Sequence, residues 1–320
     1  MPLDASDGFS SLNPGYNATF RPRHLTLGVV VPLESYPHAD VPNMHAHLER
    51  LRRVDELGFA AVWLRDVPFH VPSFGDAGQL FDPFVYLGMA AAQTQRIALG
   101  VASVVLPLRH PAHVAKAAAS VDVLSGGRLL LGVASGDRPQ EFPALSVPFA
   151  QRGARFRESF SYIRHMGESW PRVSSPYGAP VDVDLLPKPY ASRLPMLLTG
   201  GSQQSPEWIA AHGDGWMIYP RDLATQNSIL DGWRRRVHDA GRPPQPVMQP
   251  LYVDLDDTCR RPRPLHLGFR LGVADLIAHL RALQDIGVHH VALNLRFNRA
   301  DVEDTLETLA REVLPHFPSA

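Results

Sequence analysis

The sequence holds a single cysteine, Cys259, in 320 residues, so no internal disulfide and no cysteine-based metal site can form within the chain. A reducing, cytoplasmic setting is the expectation. An excess of one charge is also missing: 31 Lys and Arg stand against 32 Asp and Glu, interspersed, for a formal net charge of -1. That balance argues against a broad basic face for nucleic acid or an anionic membrane. No apolar run reaches the roughly 18 residues that a membrane-crossing helix needs. The opening MPLDASDGFSSLNPGYNATF carries acids and lacks a basic segment followed by an apolar block, so no secretory signal is expected there. Residues 1–24 read as a loose tail or an arm lying over the fold. Chemical signatures are missing as well. There is no HExxH or paired-carboxylate spacing for a metal, no Gly-x-Ser-x-Gly elbow for a hydrolase, and no Gly-x-Gly-x-x-Gly turn for a dinucleotide.

What is present is a repeated alternation. Strand candidates occur at Leu25–Val31, Ala60–Leu64, Ile97–Leu106, Leu129–Val133, Met196–Thr199, Gly215–Ile218, Val247–Asp254 and His290–Leu295, and Ile97–Leu106 is an unbroken Val-rich run suited to a strand covered on both faces. Helical spacing of apolar residues follows at Met44–Leu57, Phe84–Ala92, Ala112–Leu124, Phe156–Met166, Pro206–His212, Leu223–Ala240, Val273–Ile286 and Val302–Val313. Eight such alternations without a composition break predict an α/β fold of the (β/α)8 TIM-barrel type, a single domain over residues 25–320. Functional residues are then expected in loops that follow the strands. Three long segments interrupt the beat and predict insertions at that face: Val67–Pro83, Pro171–Leu194 and Asp256–Arg270. The last carries Arg260, Arg261, Arg263, His266 and Arg270, which reads either as solvated surface or as a lid over an anionic cofactor.

One loop has the composition of a phosphate site. Thr199, Gly200, Gly201 and Ser202 follow a predicted strand, and Ser205 and Pro206 open the next helix, so amides and hydroxyls converge. A tight turn with Ser205 as helix cap is the competing reading. His110 and His212 read as structural, and the neighbours His289 and His290 cannot both face one side of a strand.

The block Gly100–Gly136, WLRD at Trp63–Asp66, FDPF at Phe81–Phe84 and LLTGGSQQSPEW at Leu197–Trp208 together resemble the bacterial luciferase-like monooxygenase family. GVASGDRPQEFP at Gly132–Pro143 is similar to an uncharacterised, non-luminescent subgroup of it. The resemblance implies a barrel that takes FMN across the carboxyl ends of its strands, or a deazaflavin as in some relatives. It further implies a phosphate held by the Gly201 amide and the Ser202 and Ser205 side chains, with Ala102 and Ser103, joined by a non-prolyl cis peptide, beside the ring. Ser135 stands where light-emitting relatives place a phosphate-binding arginine, and Val67 stands in place of their catalytic histidine, so bioluminescence is not expected. Asp137 and Arg138 become the catalytic candidates, with Arg138 also able to bind an acidic substrate group. An aromatic wall is expected from Trp63, Phe69, Phe74, Phe81 and Tyr219. The implied chemistry is oxygenation of a small organic substrate by reduced FMN and O2, the reduced flavin coming from a separate reductase and the chain forming a homodimer. Hydride transfer from a reduced deazaflavin and non-catalytic flavin binding are the alternatives.

Overall fold

The computed structural model describes residues 8–319. Eight parallel strands form the frame: β1 (Thr26–Val30), β2 (Ala61–Leu64), β3 (Ala98–Val105), β4 (Leu129–Ala134), β5 (Met196–Thr199), β6 (Trp216–Met217), β7 (Val247–Leu255) and, after a hairpin, β10 (His290–Asn294). Each pairs with the next, and β10 pairs with both β7 and β1, which closes the barrel. Helices α2 (His47–Leu57), α3 (Pro83–Gln93), α4 (Pro111–Leu124), α6 (Arg152–Met166), α7 (Pro206–His212), α8 (Leu223–Asp239), α9 (Val273–Asp285) and α10 (Val302–Thr308) alternate with them. Three of these helices begin with a cap and a proline, at Asp82–Pro83, His110–Pro111 and Ser205–Pro206. The cap side chain accepts free amides of the first turn while proline needs no partner there. His110 is thus a helix cap, in keeping with its structural reading.

Large side chains fill the barrel interior because glycines make room for them. Trp63 is fully buried, and a Cβ on Gly100 would lie 2.3 Å from its ring. The Trp63 indole donates to His290 Nε2 at 2.8 Å. Thr26 Oγ1 gives its own proton to the Thr19 carbonyl at 2.7 Å, so the 2.7 Å contact with His290 Nδ1 requires that nitrogen to donate. His290 is thereby held neutral, and burial pushes its pKa down to about 3. On the outer side of the strand end His289 accepts the Val247 amide, and burial, with the charge of Arg234, pushes it down to about 4. The unfolded chain protonates both near 6.5, so it binds more protons than the fold below that pH. Stability is expected to be complete above pH 6.5 and to fall toward pH 4 by up to about 1.4 kcal/mol per pH unit for each histidine. Urea unfolding at pH 7, 6 and 5 measures the slope, which a His290→Gln variant should flatten. An identical slope in that variant would assign the acid sensitivity elsewhere.

Residues 8–24 pack under the barrel. A short helix, α1 (Pro14–Thr19), sends Tyr16 into the floor together with Leu12 and Phe20, against Ala61, Trp63, Leu130, Leu197, Met217, Met248 and Ala292. The Tyr16 hydroxyl donates to the Asp214 carbonyl at 2.7 Å, and Asn13 donates to Asp122 and to the Leu129 carbonyl at 2.9 and 2.8 Å. Gly15 is required at the crossing, since a Cβ there would sit 2.7 Å from the Arg128 carbonyl oxygen.

Several segments differ from the sequence-based expectation, among them the helix expected from Phe156, which begins at Arg152, and the one expected to run to Val313, which is α-helical only to Thr308. The insertion after β7 contains strands β8 (Arg263–Leu265) and β9 (Gly268–Leu271), an antiparallel hairpin whose second strand runs parallel to the end of β7. The first long helix starts at His47 rather than Met44, because the Glu34 carboxylate accepts the amides of Asn43 and Met44 and holds them in a turn.

Candidate functional site

Small side chains collect at the carboxyl ends of three neighbouring strands. Ala102 and Ser103 lie in the second half of β3, Ala134 ends β4 and Thr199 ends β5, all of them half-buried. The Ala102–Ser103 peptide is cis. Ser103 Oγ is hydrogen-bonded to Thr199 Oγ1, which lies 3.2 Å from the sulfur of Met217 on β6. The mouth therefore has a floor of short side chains tied across β3, β5 and β6. Beyond β5 the chain turns through Gly200 and Gly201, where an added Cβ would meet nothing within 4 Å.

The two serines of this loop differ in what they can offer. Ser202 is buried and donates its hydroxyl to the Thr199 carbonyl at 2.7 Å, so it fastens the turn. Ser205 Oγ accepts the Trp208 amide at 3.2 Å and is exposed, with its hydroxyl proton turned to the Glu207 carboxylate. Gly201 is exposed beside it. The donor set suits a phosphate: an open glycine backbone with no side chain filling the space at Gly200 and Gly201, and an exposed hydroxyl beside it. Ser135 is buried at the end of β4 and Asp137 is exposed two residues on.

A second group of residues comes from strands that are not neighbours. Asp76, in the insertion after β2, binds Arg65 at 2.7 Å and Arg296 at 2.8 Å through one carboxylate oxygen. Its other oxygen accepts Gly78 N at 2.9 Å and the Tyr36 hydroxyl at 3.2 Å. Burial works to raise the Asp76 carboxyl, but Arg65 and the other donors outweigh it and hold it below the ordinary value. Arg138, from the loop after β4, donates to the Asp76 carbonyl at 3.1 Å and stacks 4.0 Å over the Phe74 ring. Arg65 follows β2, Arg138 follows β4 and Arg296 follows β10, so they meet only by reaching over the mouth.

Glu141 opens a four-residue helix, α5 (Glu141–Ala144), in the same loop as Arg138. Only 2% exposed and with Oε1 unpartnered, its carboxyl is pushed up to about 7 by burial, against the opposing charge of Arg138. In the sequence it sits inside GDRPQEFP with nothing in its spacing to mark burial, so sequence reasoning misses it. Asp66 plays a structural part, accepting Val105 N at 3.1 Å and binding Arg109 at 2.7 Å, which also reaches Asp82. It fastens β2 to the end of β3.

The expected aromatic wall is corrected in part. Trp63 is core, hydrogen-bonded to His290, and Phe81 stacks on Tyr86 beside His47 near the start of α3. Phe69, Phe74 and Tyr219 are partly exposed, and Tyr252 lies buried on β7 against His266 of the hairpin turn. Of the arginines after β7, Arg270 pairs with Asp254 at 2.6 Å, whereas Arg260, Arg261 and Arg263 are exposed. Among the described residues there is no cluster of His, Cys, Asp and Glu that would hold a metal, and no helix long and apolar enough to cross a membrane.

Comparison with known proteins places this geometry. A Mycobacterium tuberculosis protein of uncharacterised function is 36% identical over 169 residues, 48% of this chain and 57% of its own length. The chain thus spans less than two thirds of that relative. The F420-dependent hydroxymycolic acid dehydrogenase of Mycobacterium tuberculosis is 28% identical over 74% of this chain and 64% of its own. Among solved structures, the oxygenating constituent of 3,6-diketocamphane monooxygenase from Pseudomonas putida, in complex with FMN, superposes with a TM-score of 0.74 at 15% identity. That match covers 93% of this chain and 100% of the other, and it is a likeness of fold. The model of the luciferase-like monooxygenase family matches residues 25–305, and the chain belongs to that family.

Proposed function

We propose that the protein is an oxidoreductase that uses reduced FMN and O2 to oxygenate a small organic substrate, with the reduced flavin delivered by a separate reductase. The observation that carries this reading is the shelf of short residues, Ala102, Ser103, Ala134 and Thr199, beside a glycine turn open to solvent. A flat ring needs such a shelf, and its phosphate needs such a turn. When bound, the flavin supplies the redox chemistry. The chain's own residues bind and shield: Gly201 and Ser205 take the phosphate, Ser202 and Thr199 keep the turn in shape, and Ala102 and Ser103 leave the ring its space. Ser135 and Asp137 lie at its rim. Burial pushes the Glu141 carboxyl up to about 7, toward the range in which a carboxyl can both give and accept a proton. A cytoplasmic homodimer belongs to this reading, supported by the exposed Val85 on α3 and Leu124 at the end of α4, 73% and 72% accessible.

A second reading, hydride transfer from a reduced deazaflavin, is favoured by the F420-dependent relative and by the exposed Arg260, Arg261 and Arg263 after β7. Titration of the purified protein with each reduced cofactor decides between them. Tight FMN binding with substrate-dependent O2 uptake is expected, and binding of the deazaflavin alone would remove the leading proposal. Ser205→Ala should weaken FMN by about 1.5–3 kcal/mol, the value of one hydrogen bond to a charged group. An unchanged affinity would seat the phosphate elsewhere.

A further inference from the structure

The cluster around Asp76 leaves buried guanidinium donors unmet. The Asp76 carboxylate is saturated by Arg65, Arg296, Tyr36 and Gly78. Arg138, only 7% exposed, donates to a carbonyl, and its Nη1 is buried with no partner. The Nε of Arg65 and the Nε of Arg296 are likewise buried and unpartnered. Two guanidinium groups thus share the Asp76 carboxylate, and a third, Arg138, holds only its backbone carbonyl. Asp137 and Glu141 are near enough for their charges to act on Arg138, yet neither hydrogen-bonds its free Nη1. A buried, unpaired guanidinium is costly unless an anion completes it, and a carboxylate does so with strong, directional hydrogen bonds. Phe74 roofs Arg138 and is itself 47% exposed, so its displacement opens the guanidinium to the mouth. Tyr219, also half-exposed, adds an aromatic surface at the end of β6.

We propose that Arg138, backed by Arg65, anchors a carboxylate on the substrate, so that the protein acts on a small organic acid with an apolar or aromatic body. This rests on the substrate of the proposed oxidoreductase entering over the same mouth. Calorimetric titration tests it with benzoate, its neutral counterpart benzamide, and inorganic phosphate, on the chain with and without saturating FMN. Benzoate is expected to bind at least about tenfold more tightly than benzamide, a ratio lost in Arg138→Met and partly kept in Arg138→Lys. Equal binding of the two probes, or a preference that survives in Arg138→Met, overturns the proposal. So does phosphate binding that matches benzoate and competes with FMN, which would make the cluster a seat for the cofactor. Should Arg138→Met fold poorly, the comparison of the two probes on the unaltered chain decides alone. Since the preference is read without cofactor too, its failure is distinct from a failure to bind FMN.

Discussion

Asp214→Asn is expected to lower the unfolding free energy by about 3–5 kcal/mol, the range for removing one partner from a buried ionic group. The Asp214 side chain is 1% exposed, is bonded to Arg164, lies 2.7 Å from Arg193 and 3.6 Å from Arg242, and accepts the Met196 amide at 3.0 Å. Asparagine keeps the shape and removes the charge, which leaves three guanidinium groups facing one another. Burial already disfavours the charged form of Arg164, so the loss of its counter-ion is felt most there. Urea unfolding with an unchanged m-value and a lower midpoint is the expected result. A loss under about 1 kcal/mol would mean that solvent screens the cluster as it does a surface pair.

Tyr16→Ala is expected to cost a similar amount, about 3–5 kcal/mol, because it empties a closed floor and strands the Asp214 carbonyl. Tyr16 is 2% exposed. The effect should reach the mouth as well. Met217 belongs to the floor cluster with Tyr16, and its sulfur touches Thr199 Oγ1, which is bonded to Ser103. Loosening the floor frees Met217 to move, so FMN affinity should fall along with stability. Thermal unfolding and FMN titration on one sample check both, and intact FMN binding in a destabilised variant would separate floor from mouth.

The barrel was legible because its strands fall in apolar runs and three of its helices carry a cap and a proline at their starts. Asp82–Pro83 and Ser205–Pro206 are examples in which one pair of residues states both the end of a loop and the start of a helix. The helix at Pro14–Thr19 was not legible: PGYNAT has poor helix formers and only one large apolar side chain, so it folds on tertiary contact alone. The hairpin at Arg263–Leu271 was hidden for a related reason, since its strands are three and four residues long and include a proline. At the site, the glycine turn and the short residues of β3 could be read in sequence. The cluster of Arg65, Asp76, Arg138 and Arg296 could not, because it joins separate loops that only barrel closure brings together. Glu141 escaped because burial, which gives it its proton affinity, has no local signature.

The floor helix also has a place in time. Tyr16 leaves the ribosome early, yet its hydroxyl partner, the Asp214 carbonyl, lies 198 residues further along the chain. At roughly 5–20 residues per second Tyr16 waits on the order of ten to forty seconds for that partner to be synthesised. Trp63, Leu130 and Leu197 of its cluster are made within that interval, but Met217, Met248 and Ala292 come after it. The floor around Tyr16 is therefore completed only when β10 supplies Ala292.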